Sequence, residues 1–166
     1  MGKRVSVLLV LLAACSKPPY VVRSTDGGFQ VTVPGHWKPR ADLHASAEIK
    51  MCNPFREQYL IALIVTKFET GRMTIQQHSD ATRASIRAAA SNFSETGPVA
   101  LTINGYQAVQ YEMRGRVNNI DVVYIHTTIE TENHFSQLLA WSLGSKWSAN
   151  EAVLREVVTS FKKTSP

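Results

Sequence analysis

The side chains able to do chemistry are few: two cysteines, five histidines and scattered carboxylates among 166 residues. His36, His44, His78, His126 and His134 form no H-E-x-x-H pair, and none stands at finger spacing from a cysteine. No metal centre is predicted. The nearest approach to one is His36 and His44, which flank Trp37 within reach of Cys52 or Glu48. His78 falls on an apolar helical stripe and reads as a packed core histidine. A serine hydrolase holds its nucleophile on a strained turn such as G-x-S-x-G, whereas Gly144-Ser145 leads into Lys146-Trp147 with no such pattern. No glycine loop cradles phosphate, and Asp26-Gly27-Gly28 reads as a hairpin turn. The sequence predicts no catalytic residue and no cofactor.

What remains is recognition, for which aromatic and arginine side chains are the usual anchors. Trp37, Trp147, Arg83 and Arg87 are the candidate contact residues. Trp147 is expected to be the most exposed tryptophan, and Trp37 a lid on the sheet edge. Arg83 and Arg87 are expected on the outer face of a helix. Trp141 alternates in phase with Leu139 and Leu143 and reads as core.

Cys15 has a different chemistry. Lys3 and Arg4 precede a largely apolar run of ten residues, 5–14, which ends in Leu12-Ala13-Ala14-Cys15. A spanning helix needs about 20 residues, so the run reads as an export signal that is removed. Leu12-Ala13-Ala14-Cys15 resembles the lipobox of bacterial lipoproteins. The resemblance implies diacylglycerol on the Cys15 thiol and cleavage between Ala14 and Cys15. Each buried CH₂ contributes about 0.8 kcal/mol, and two or more chains anchor stably. The protein would then be tethered to a membrane and face the periplasm. Ser16 after the cysteine implies, by the enterobacterial sorting rule, the outer rather than the inner membrane. Three other readings stay open: an ordinary signal-peptidase site, N-myristoylation on Met1-Gly2 with Ser6, and a buried N-terminal helix.

Loss of Lys3 and Arg4 lowers the net charge from +5 to +3. With no basic cluster, this is no nucleic-acid footprint. If Cys15 carries lipid, Cys52 has no partner in the chain and reads as a buried apolar residue or as an exposed thiol that pairs with another chain. The fold must then hold by its core alone, in a compartment that favours disulfides.

The elements follow from periodicity. Lys17-Pro18-Pro19 is a short extended spacer, so residues 1–14 are read as leader, 15–19 as lipidated N-terminus and spacer, and 20–163 as one domain. Strands are predicted at 20–24 and 29–33, at 45–51, where Ala45, Ala47, Ile49 and Met51 alternate, and at 59–68, apolar on both faces. Thr74 and Gln77 make a capping box that opens a helix ending at Ser91-Asn92, with Gly97-Pro98 as a break beyond it. Strands 99–103 and 106–114 join at Asn104-Gly105. Strands 120–130 and 135–143 follow turns at 118–119 and 132–133. Ser148 to Glu151 reads as a second capping box. Val153, Leu154, Val157, Val158 and Phe161 give the terminal helix its apolar stripe, with Lys162 and Lys163 in its last turn. The fold class is α+β: an antiparallel sheet of about seven or eight strands flanked by two main helices.

Gly28-Phe29-Gln30-Val31-Thr32-Val33-Pro34-Gly35-His36-Trp37 resembles the opening strand and P-x-x-W turn of PsbP-like and DcrB-like domains. The hairpin at residues 102–108, the strand ending Leu138-Leu139-Ala140-Trp141-Ser142 and the closing Val157 to Lys162 are similar in kind. The resemblance spans about residues 20–163 and implies an α/β/α sandwich. It also implies a protein that acts by binding, since relatives include a lumenal photosystem subunit, a nuclear-import factor that binds a small GTPase, and envelope or secretion-linked proteins. It transfers no functional residue. The expectation is a lipid-anchored, non-enzymatic accessory of the cell envelope with an envelope protein as partner. A carrier with a groove lined by Trp37, Tyr59 or Tyr124 is the alternative, ahead of a hydrolase.

Overall fold

The computed structural model describes residues 17–26 and 28–164. Cys15 and the leader lie outside these residues, as does Gly27 of the first turn. Strands β1 (Tyr20–Arg23) and β2 (Phe29–Val33) form a hairpin whose alternating residues Phe29, Val31 and Val33 are buried. β3 (Lys38–Pro39), β4 (Ile49–Asn53) and β5 (Gln58–Thr66) lead to helix α1 (Ile75–Ala89). Four long strands follow: β6 (Ser91–Ile103), β7 (Tyr106–Val117), β8 (Ile120–Glu130) and β9 (His134–Leu143). Helix α2 (Trp147–Thr159) and β10 (Lys162–Lys163) close the domain.

The main sheet has seven strands in the order β3-β4-β5-β9-β8-β7-β6, and a smaller sheet has the order β1-β2-β10. All pairs are antiparallel. α1 covers one face of the main sheet, against Tyr111, His126 and Leu139. α2 and the small sheet cover the other, where Leu60, Ile125, Leu138 and Ala140 meet Val31, Leu154 and Val158. Phe29 stacks on Phe161 at 5.5 Å, which joins the small sheet to the end of α2. Such a pair is worth about 1 kcal/mol beyond its buried area. Among the described residues no helix is long and apolar enough to cross a membrane.

The α+β class and the long meander stand as read, and the Thr74–Gln77 capping box is present in full. Both asparagine turns adopt the left-handed backbone that the sequence predicts, with φ of 48° at Asn104 and 49° and 65° at Asn118 and Asn119.

Several boundaries differ. α1 stops at Ala89, and Phe93 belongs to β6. Gly97-Pro98 lies inside β6, where the register slips between Thr96 and Val99. An edge strand tolerates proline at a bulge. Residues 45–48 are not a strand: the backbone N–H of Ser46 donates to His44 Nδ1 at 3.1 Å, a local bond that competes with the ladder, and β4 begins at Ile49. Phe68 lies beyond β5 in a loop and is almost fully exposed. Ser148 caps nothing, because α2 starts at Trp147 directly from a 3-10 turn at Gly144–Lys146. Phe161 leaves the helix to stack on Phe29. That draws Lys162 and Lys163 into pairing with Gln30 and Phe29 rather than into a last helical turn.

Candidate functional site

Register aligns one row of side chains across the α1-covered face of the main sheet. Lys38 pairs Cys52, Cys52 pairs Tyr59, Tyr59 pairs Trp141, Trp141 pairs Tyr124, Tyr124 pairs Met113 and Met113 pairs Glu95. Residues opposite each other on neighbouring strands touch. Tyr59 and Trp141 stack at 5.2 Å with 14° between planes, and Tyr124 leans on Trp141 at 6.2 Å. Cys52 and Met113 at the two flanks are buried, but all three aromatic rings are only half-buried. Leu43 and Ala47 pack into the same cluster beyond α1 without closing over the rings.

The polar handles of this patch are restrained. Tyr59 OH donates to Glu57 Oε2 at 2.5 Å. Burial and this carboxylate push its pKa up to about 12. Burial also raises Tyr124. The Cys52 thiol is buried, free and raised by burial, as its reading as an apolar residue predicts. None of these groups is a poised acid, base or nucleophile at neutral pH. The patch offers rigid aromatic area with phenol hydroxyls at its rim, which suits recognition rather than bond making.

The four residues singled out from the sequence are placed differently. Trp37 is buried on the opposite face, with Nε1 donating to Gln58 Oε1 at 3.2 Å, so it lines no groove with Tyr59 or Tyr124. Trp147 is also buried, with the Arg114 guanidinium 6.0 Å above its ring, so it is not the exposed tryptophan. Trp141, read as core, is the one that is half-exposed.

Arg83 does not take the outer face. It is 3% exposed, lies 3.4 Å above the Tyr111 ring and is held by Asp80 and Glu95. Arg87 is exposed and reaches the same Glu95 at 2.7 Å. The two arginines thus clamp α1 to β6. Tyr111 missed selection because only register places it under Arg83; Asp80, three residues before Arg83, was the one local signal.

Burial raises the Glu95 carboxyl, but hydrogen bonds and charge from Arg83 and Arg87 outweigh it and hold the group below the ordinary carboxylate range. Its contribution is present above about pH 4.5 and is lost as pH falls through the folded value. Glu95→Gln is expected to cost about 2 kcal/mol at pH 7, because it leaves the buried Arg83 guanidinium with the half-exposed Asp80 as its only carboxylate. Urea unfolding of both proteins checks this: the gap should narrow below pH 4.5. A gap that does not change with pH would mean that packing, not charge, holds β6.

Among the described residues no group of three His, Cys, Asp or Glu side chains is gathered as a metal site. His36 is exposed, and His44 is held by Ser46. A cleft of about 240 Å³ lies between the sheets, lined by Phe29, His134, Ser136 and Phe161, and the buried Ser136 hydroxyl there has no partner. A second, of about 280 Å³, lies where Lys17 and Pro19 meet His36 and Val153. Both fall below the roughly 300–1,000 Å³ of drug-sized sites, whereas a third, more open cleft of about 330 Å³ between Ile75 and the β6–β7 pair lies within that range.

No family model matches the chain, and no curated protein does. Solved structures do. Cyanobacterial PsbP (CyanoP) from Synechocystis sp. PCC 6803 is similar with a TM-score of 0.65 at 12% identity, over 94% of this chain and 99% of that one. LpqN of Mycobacterium tuberculosis, described as involved in cell envelope biogenesis, is similar at 0.63 and 16% identity, over 89% and 91%. The Ran-binding protein Mog1p of Saccharomyces cerevisiae is similar at 0.58 and 10% identity, over 87% and 95%. These likenesses show a PsbP-like fold.

Proposed function

We propose that the protein is a lipid-anchored, non-enzymatic accessory of the bacterial cell envelope that binds another envelope protein through the Tyr59–Trp141–Tyr124 face. The observation that carries this reading is the stacked aromatic row left half-open beside α1. Aromatic area held rigid on a sheet loses little conformational entropy on binding. Lipid on Cys15 would hold the domain at the periplasmic face, with Ser16 favouring the outer membrane. The likeness to an envelope-biogenesis protein and to a Ran-binding protein fits a fold used for binding.

The test is a photo-crosslinking residue at Tyr59 or Tyr124 of the full chain in a bacterial host, beside the same residue at Thr159 on the far face. The expected result is one envelope protein captured from positions 59 and 124, absent from 159 and lost when Trp141→Asp is added. Equal capture from all three positions, or none from 59 and 124, overturns the reading.

A further inference from the structure

Exposed apolar side chains stand at both ends of the main sheet. Phe68 and Met73 lie at one end and Phe55 and Ile120 at the other. Register decides which end the tether leaves from. Tyr20 pairs Val33, so β1 begins where β2 ends, and Tyr20 OH donates to the Trp37 carbonyl at 2.9 Å. Lys38 pairs Cys52, one residue before the Asn53–Gln58 turn that carries Phe55. Gln58 pairs Ser142 and Ser142 pairs Val123, so Lys146 and the Asn118-Asn119 turn share that end. The chain thus enters the domain towards the end of the sheet that carries Phe55, with Lys17 in a cleft beside Val153 and the exposed Glu156 of α2, and Phe68 stands about 30 Å from Phe55 along β5.

The entry point is held close. Gly35 lies so tightly under Lys17 and Pro18 that a Cβ there would run into their backbone carbonyls. Only Ser16 separates Cys15 from Lys17, so their Cα atoms are at most about 7 Å apart. That is no more than the headgroup layer, roughly 5–8 Å on each side of the bilayer. The charge at this end suits a lipid surface. Lys17, Arg56 and Lys146 are exposed and have no ion pair among the described residues, while Asp121 is taken by Arg116 and Glu57 by Tyr59.

We infer that this end of the domain lies directly on the membrane, with Phe55 in the interface and Lys17, Arg56 and Lys146 against anionic headgroups. The inference rests on the Cys15 anchor of the proposed function. It fixes the orientation of the domain: the Phe68–Met73 loop points away from the bilayer, and the aromatic row stands at its side. Each basic residue near an anionic surface strengthens the contact about fivefold, and the lipid supplies the rest.

The experiment is hydrogen exchange on the mature chain beginning at Cys15, joined through that thiol to a maleimide phospholipid in phosphatidylcholine–phosphatidylglycerol vesicles. It is compared with the untethered chain and with a tethered Phe55→Ser/Arg56→Glu variant. Amides of residues 55–58 are expected to exchange at least about threefold more slowly on tethering, and those of residues 68–73 to stay unchanged. The variant is expected to lose most of that protection. Slowing at 68–73, or none at either loop, overturns the orientation. Because the lipid is added chemically, this outcome is independent of whether a host lipidates Cys15. That question is answered separately by the intact mass of host-made protein.

Discussion

Acidifying the protein from pH 7 to pH 4 is expected to remove about 3 kcal/mol of folding stability through one side chain, His126. His126 sits on β8 with no exposed surface, and its Nε2 lies 2.9 Å from Thr82 Oγ1 of α1. The Thr82 hydroxyl also reaches the carbonyls of His78 and Ser79, at 3.0 and 3.1 Å. It donates to those, so it accepts from Nε2–H. The Nδ1 lone pair is then left without a partner. Burial, helped by the charges of Arg83 and His78, pushes the pKa from 6.5 down to about 3. Below pH 6.5 the unfolded chain takes up a proton that the folded chain refuses. The stability is therefore complete above about pH 6.5 and falls progressively towards pH 3. His78, stacked on Phe135 and lowered by burial, acts in the same direction. His126→Leu should flatten the profile at little cost at pH 7, because Thr82 keeps its backbone acceptors. Urea unfolding at pH 7 and pH 4 decides it. If wild type and variant lose the same stability, carboxylates drive the acid transition and His126 does not.

This site shows which kind of information sequence periodicity carries and which it lacks. His78 was recognisable as a core histidine because its neighbours at helical spacing are apolar. Arg83 follows the same helix, and a charged residue there reads as solvated. Its burial depends on Glu95 and Tyr111, which reach it only once β6 and β7 have paired. Tryptophan exposure failed for a related reason. Trp141 alternates with Leu139 and Leu143 as a core residue should, but the sheet is wider than α1, so the end of its covered face stays open. The hairpin turns and the Thr74–Gln77 capping box, by contrast, are decided within four residues and were legible there, although the same pattern at Ser148–Glu151 caps nothing because α2 opens from a 3-10 turn.

Asn150→Leu is expected to cost about 3 kcal/mol, since it strands two buried polar groups, Gln58 Nε2 and the Ser142 hydroxyl, that each cost about 1–3 kcal/mol without a partner. Asn150 is buried in α2. Its Oδ1 accepts from Gln58 Nε2 at 2.9 Å, and its Nδ2 donates to Ser142 Oγ and to the Arg56 carbonyl, both at 2.7 Å. Gln58 Oε1 in turn accepts from Trp37 Nε1 and from Asn53 Nδ2 at 3.4 Å. One network thus fixes the loop after β2, both ends of the β4–β5 turn, the end of β9 and the start of α2. Leucine has a similar volume, so the loss would report hydrogen bonds rather than a cavity. Ala149→Ser, next to it on the exposed side, should change stability by less than about 0.5 kcal/mol. Urea midpoints measure both, and a loss below about 1 kcal/mol for Asn150→Leu would show that the turn re-pairs elsewhere. Hydrogen exchange in the variant should quicken at residues 55–58, because the Arg56 carbonyl has lost its anchor. The consequence reaches the proposed membrane face. A turn held by buried bonds presents Phe55 and Arg56 in one geometry before any lipid is met, so little ordering is left for docking. The same substitution should therefore weaken vesicle protection of that turn without altering Phe55 or any basic side chain, which separates a preorganised docking surface from a merely sticky one.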